Sequence, residues 1–157
     1  MEIVLLTVGK TTIDFVLDGI AEYTKRLKHY VPYSYQMLPD IKKTASLSVE
    51  RQKEAEGEMI ISKLLPGDHV ILLDERGKEY SSMEFATFLE KQMVAGRKRL
   101  IFVVGGPYGF SRAVYDRADG KISLSKMTFN HEMVRLFFTE QVYRAMTILR
   151  GEPYHHE

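Results

Sequence analysis

The residues best suited to chemistry lie in the second half of this 157-residue chain. Gly105, Gly106 and Gly109 follow the apolar run Leu100–Val104, and glycine lets a backbone come close to a ligand. Such a loop either holds a ligand or makes a tight strand-to-helix turn. Its spacing, G-G-x-x-G late in the chain, is not the dinucleotide fingerprint G-x-G-x-x-G, and no G-x-x-x-x-G-K-[ST] phosphate loop is present. No G-x-S-x-G elbow supplies a nucleophilic serine. The candidate titratable groups are His131, Arg135, Glu140, Arg144, Tyr154 and His155. Glu140 and Arg144 sit four apart on one helix and can pair, while Arg135 points roughly the other way at ~100° per residue. Each group also has a plain structural role open to it: His131 at a helix start, the arginines in ion pairs, Tyr154 and His155 in packing. The terminal His155-His156-Glu157 is too short to close a metal site, and no other His or carboxylate cluster has ligand spacing. A metal-dependent hydrolase is therefore disfavoured, and no metal is expected.

Strands and helices that alternate must position these groups. Ile3–Val8 is an apolar run ending at Gly9, and Thr12–Leu27 has helical spacing. Tyr33–Leu38 reads as a second strand, Asp40–Leu47 as a loop, and Ser48–Leu65 as a charged amphipathic helix stopped by Pro66-Gly67. His69–Leu73 is a continuous apolar strand, with Asp74–Tyr80 a polar loop after it. Ser81 and Glu84 form a capping box for a helix over Ser82–Ala95. After the strand Leu100–Val104, Ser111 caps a short helix over Arg112–Ala118. A strand at Lys121–Leu124 and a loop at Ser125–Asn130 lead into the last helix, His131–Arg150. The strands at 69–73 and 100–104 are apolar on both faces, which predicts an α/β fold with a mainly parallel sheet and helices on both faces. Ligands of such sheets bind at the carboxyl ends of the strands, here the loops Asp74–Tyr80, Gly105–Phe110 and Ser125–Asn130. The last helix carries the stripe Val134, Phe138, Val142, Ala145 and Leu149, with Leu136, Phe137, Tyr143 and Met146 on other faces. A helix apolar nearly all round is buried on several sides, and a second subunit is the expected cover.

Bulk properties narrow the class. The length suits one domain spanning 1–157, and 45% hydrophobic residues support a core. The absence of cysteine suits a reducing, cytoplasmic setting, and no apolar run approaches the ~20 residues a membrane span requires. Net charge is only +1, so any nucleic-acid surface must come from local groups such as Lys25, Arg26 and Lys28, the pair Lys42–Lys43, or Arg97, Lys98 and Arg99.

Five blocks in order carry a resemblance that spans the chain. They are Leu72–Lys78 (LLDERGK), Phe102–Gly109 (FVVGGPYG), Ser123–Phe129 (SLSKMTF) with His131 and Arg135, Glu140–Ala145 (EQVYRA), and Pro153-Tyr154-His155. The chain thereby resembles the SPOUT-class ribosomal RNA large subunit methyltransferase H family. The resemblance implies a C-terminal trefoil knot, one of the exceptions to the rule that chains avoid knots. It implies S-adenosyl-L-methionine as methyl donor, bound by Leu73, Gly105, Gly106 and the run Leu124, Ser125, Lys126, Met127, Thr128 and Phe129. It further implies N3-methylation of a pseudouridine in 23S rRNA within the assembled ribosome, by a homodimer whose sites use both subunits. His155, Arg144 and His131 are then the catalytic candidates, with Arg135, Glu140 and Tyr154 on the substrate. The other readings are a nucleotide-binding regulatory module without turnover and a SPOUT enzyme acting on tRNA.

Overall fold

Strand β1 (Glu2–Val8) sends Ile3 and Leu5 to one side and Val4, Leu6 and Val8 to the other, and all of them are buried. Residues that alternate in direction yet stay apolar require cover on both faces. The computed structural model, which describes residues 1–42 and 44–156, supplies it. Lys43 of the Lys42–Lys43 pair and Glu157 of the terminal His-His-Glu run lie outside the described residues. With β2 (Tyr33–Leu38), β3 (His69–Glu79), β4 (Arg99–Val104) and β5 (Gly120–Ser123), β1 forms a five-stranded sheet in the order β2-β1-β4-β3-β5, and every pairing is parallel. Helices α1 (Asp14–Leu27), α3 (Ser82–Val94) and α5 (Met133–Leu149) form one layer, and α2 (Val49–Ser62) and α4 (Arg112–Arg117) the other. The first layer closes over Leu5, Ile71, Leu100 and Phe102. The second closes over Val4, Leu6, Val70, Leu72 and Val103.

The helix boundaries follow from side-chain caps. Ser48 accepts from the Arg51 amide at the start of α2, Ser111 from the Val114 amide at the start of α4, and the Ser81–Glu84 capping box opens α3 as expected. At α5 the Asn130 carboxamide oxygen accepts from the amides of Glu132 and Met133, so the regular helix begins later than His131. Helix α1 begins at Asp14 rather than Thr12: Ile13 is its extended N-cap, and the Thr12 and Ile13 amides ahead of the helix donate to the Glu132 carboxylate.

Two expectations change. The segment Asp74–Tyr80 is not a free loop: β3 runs on to Glu79, and Lys78 and Glu79 pair with Ile122 and Ser123 after an irregularity between Leu73 and Lys78. Polar composition hid this, because the extension lies beyond the part of the sheet that helices cover. Close approach there needs glycine: a Cβ on Gly77 would lie 2.4 Å from the Ile122 carbonyl carbon. Helix α5 also finds its cover within the chain. It lies between α1 and α3 over the sheet, and Phe138 and Phe102 meet with ring centroids 4.7 Å apart. A second subunit is thus not needed to explain most of its apolar surface. What α5 leaves exposed is Phe137, 40% accessible, beside Phe129 at a centroid distance of 5.1 Å.

The strand order places a switch point at the centre of the sheet. From β1 the chain leaves through α1 toward β2, and from the adjacent β4 it leaves through α4 on the other face toward β5. Neighbouring strands whose connections diverge open a crevice at their carboxyl ends, where ligands bind.

Gly77→Ala is expected to lower stability by about 1–3 kcal/mol through overpacking against the β5 backbone. Urea denaturation would show it as a lower midpoint at unchanged slope.

Candidate active site

The carboxyl ends of the strands hold three adjoining clefts. The first, of about 160 Å³, is bounded by Leu73 and Val104 on one side and Leu124–Phe129 on the other. The 124–129 loop is held in shape by its serines: the Ser123 hydroxyl donates to the Ser125 carbonyl at 2.9 Å, and the Met127 amide donates to Ser125 Oγ at 2.9 Å. The second cleft, of about 450 Å³, shares Leu73, Asp74, Val104 and Val134 with the first and adds the glycine loop Gly105–Gly109. That loop turns on a Gly109 amide to Gly106 carbonyl bond of 3.2 Å. On the rim, Asp74 accepts from the Arg76 amide at 2.8 Å and from the Tyr115 hydroxyl. Burial, then that bond, pushes Tyr115 up to about 12. The third cleft, about 400 Å³, lies at the switch point between the end of β1 and the glycine loop; His131 borders both it and the second cleft.

The structure therefore brings together Leu73, Gly105, Gly106 and the run Leu124 to Phe129, with His131 exposed beside them. Arg135 lines the third cleft with its guanidinium already engaged by the fold. It is 1% accessible, and its guanidinium donates to the carbonyls of Val8 and Gly9 at 2.9 Å each, to Thr11 Oγ1 at 2.9 Å and to the His131 carbonyl at 3.2 Å. These bonds fasten the start of α5 to the end of β1. The remaining candidates gather against α1. Arg144 Nη2 donates to Glu140 Oε1 at 2.6 Å, the Tyr154 hydroxyl donates to the same oxygen at 2.9 Å, and Arg144 Nη1 lies 3.2 Å from His155 Nδ1. Tyr154 rests on Tyr143 and under the Arg144 guanidinium, and burial followed by its bonds to Tyr23 and Glu140 holds its hydroxyl well above the ordinary value. Burial, the largest single effect, pulls the Arg144 pKa down, but the bond to Glu140 and the charges of Glu140, Tyr154 and Tyr23 together outweigh it and the net shift is upward. Neither Arg144, Tyr154 nor His155 borders any of the three clefts within this chain. Glu140 instead edges a fourth, apolar cleft of about 410 Å³ with Tyr80, Leu124, Phe129 and Phe137.

Two carboxylates escaped the sequence reading. Glu132 Oε1 accepts from the Thr12 amide at 2.6 Å and the Ile13 amide at 2.9 Å, and Oε2 from the Thr12 hydroxyl at 2.8 Å. The Ile13 bond is the largest of the effects that hold its pKa below the ordinary glutamate value. Nothing local announces a cap supplied from more than a hundred residues away. Glu56 is different. It lies on α2 with Gln52 and Ile60 at four-residue spacing, and all three are buried. Polar side chains on the stripe that carries Ile60 into the core were a readable signal.

A family model described as a predicted SPOUT methyltransferase matches residues 1–155. The chain belongs to the SPOUT methyltransferases, in the ribosomal RNA large subunit methyltransferase H family. It is 59% identical over 157 residues, the whole of both chains, to the ribosomal RNA large subunit methyltransferase H of Parabacteroides distasonis. To the Porphyromonas gingivalis protein of the same name it is 57% identical, again over all of both chains. Among solved structures, a probable methylase family protein from Haemophilus influenzae Rd KW20 superposes with a TM-score of 0.51 at 13% identity, covering 99% of this chain and 70% of that one, a likeness of fold.

Removing the Arg135 guanidinium leaves buried carbonyls without donors, so Arg135→Ala is expected to cost about 3 kcal/mol, read from chemical denaturation. For Glu132 the folded pKa is depressed, so its contribution is present above the unfolded glutamate pKa and is lost as pH falls through the folded value. Glu132→Gln should therefore melt earlier than wild type at neutral pH, and the gap should close on acidification; melting curves across pH check this.

Proposed function

We propose that this chain transfers a methyl group from S-adenosyl-L-methionine to N3 of a pseudouridine in 23S rRNA of the assembled ribosome, acting in the cytoplasm as a homodimer. The observation that carries the reading is the run of adjoining clefts at the strand ends, where Leu73, Gly105, Gly106 and Leu124–Phe129 converge. The lining suits the donor. A loop without side chains at Gly105 and Gly106 offers backbone groups, and Leu73, Val104 and Phe129 offer apolar walls for an adenine. The C-terminal trefoil knot implied by the family belongs to the same reading.

The donor supplies a methyl on a positively charged sulfur, so the protein's task is alignment of the attacking nitrogen and removal of its proton. Leu73, the glycine loop and the 124–129 loop would hold the donor. The Glu140–Arg144–Tyr154–His155 network would meet the RNA, with Arg144 offsetting negative charge that develops on the base. Since that network borders none of the three clefts of its own chain, a second copy is the natural way to join them. Phe137, 40% accessible on the apolar cleft, and Met127, 77% accessible on the 124–129 loop, give such a dimer a surface to bury. Among the described residues no helix is long and apolar enough to cross a membrane, and no group of three or more His, Cys, Asp or Glu is placed to hold a metal ion.

The test supplies labelled S-adenosylmethionine to ribosomes lacking the modification, with free 23S rRNA and bulk tRNA in parallel. Label is expected in the ribosomes alone. Label in tRNA would replace the substrate, and donor binding without any transfer would favour a regulatory module. With activity in hand, Arg144→Ala and His155→Ala should each lower kcat by about 100-fold while leaving donor affinity intact. Mixing the Arg144→Ala chain with a Gly106→Val chain should restore part of the activity if each site draws on two subunits.

A further inference from the structure

The switch-point cleft contains a buried carboxyl with one oxygen left unsatisfied among the described residues. Glu56 is 4% accessible, and its Oε1 has no hydrogen-bond partner among the described residues. The carboxyl lies directly against Gly106: a Cβ there would stand 2.4 Å from Glu56 Oε2 and 2.6 Å from Oε1. It thus forms part of the wall that the third cleft shares with the glycine loop. Lys10, Asp40, Gln52, His131 and Arg135 also face this cleft, and Arg135 already donates to the Val8 and Gly9 carbonyls. A buried carboxyl oxygen left without a partner is destabilising, and Gln52 is the one side chain that bonds this group among the causes of its shift. Burial raises the Glu56 pKa, Gln52 draws it back and the Asp40 charge adds to the rise, which moves this group toward the range useful to a proton acceptor.

We propose that the switch-point cleft seats the target nucleobase, unstacked from the RNA, and that the Glu56 carboxylate takes the proton from the nitrogen that is methylated. This rests on the function proposed above. Enzymes that modify a base draw it out of the stack into a pocket, and this cleft shares Gly105, Gly106, Pro107 and His131 with the donor-side cleft. In the step, the nitrogen–methyl bond forms as the sulfur–methyl bond breaks and its electron pair stays on sulfur. The N–H proton passes to Glu56, which later releases it to water. Gln52, beside the carboxyl, offers an amide to the edge of the same base.

The experiment is Glu56→Gln in the full chain, with three readouts: methyl transfer to unmodified ribosomes, S-adenosylmethionine affinity by titration calorimetry, and melting temperature. The raised pKa fixes the sign of the last. A glutamate whose pKa rises on folding weakens the fold as pH climbs through that value, so the amide should melt at or above the wild-type temperature at pH 8. The expected result is a kcat at least 100-fold lower, donor affinity within threefold of wild type, and a melting temperature equal or higher. A structural Glu56 would instead lower activity, affinity and melting temperature together, and that result overturns the proposal. So does a variant with kcat within threefold of wild type. If wild type methylates ribosomes and Glu56→Gln does so equally, only the proton acceptor is refuted. A wild-type chain inert on every RNA removes the parent reading and this one with it.

Discussion

A guanidinium at 1% accessibility holds the two ends of this chain together. Arg135 reaches from the first turn of α5 to the carbonyls that end β1, while Glu132, three residues before it, caps α1. Among the described residues neither takes part in an ion pair. Each is instead satisfied by backbone groups at an element end, where donors or acceptors would otherwise lack partners. The consequence is geometric. The β1–α1 loop, the glycine loop after β4 and the start of α5 keep fixed separations, and the clefts are the spaces left among them. The site is thus defined by backbone held in place by two side chains that need not touch any ligand.

Much of this was legible in the sequence. Unbroken apolar runs at β3 and β4 implied helices on both faces of a parallel sheet, and the caps Ser81 and Ser111 with the boundary at Ser48 placed helix starts to within a residue. The candidate donor-binding residues converge because they sit at strand ends, which periodicity locates well. Other features required distance information. The polar extension of β3 gained strand geometry only because β5 lies beside it. The all-round apolar character of α5 suggested a partner chain, yet α1 and α3 account for most of it. Arg135 read as a substrate-facing or ion-paired group and Glu132 drew no reading, since their acceptors and donors lie at the opposite end of the sequence.

The candidate catalytic groups divide along the same line. Glu140 and Arg144 announce themselves by helical spacing, and their pairing follows from it. Tyr154 and His155 join them only because the tail folds back, steadied where the Tyr30 hydroxyl donates to Glu152 at 2.5 Å and Arg150 donates to the His29 carbonyl at 2.7 Å. Glu56 shows the reverse case: its helix position was plain, but its significance depends on Gly106, which comes from another layer of the molecule.

The bonds between α5 and the β1–α1 loop also set a timetable. Their partners are separated by 119 to 127 positions in sequence. During synthesis, at roughly 5–20 residues per second, β1 emerges first and can pair with β2 early, but its other edge waits for β4. Its carboxyl end stays unfastened longer still, until Arg135 has left the translating ribosome. For much of its birth the chain therefore carries an apolar strand with one open edge, a state prone to wrong pairing. An enzyme that methylates ribosomal RNA would depend, in its own making, on shelter at the mouth of a ribosome.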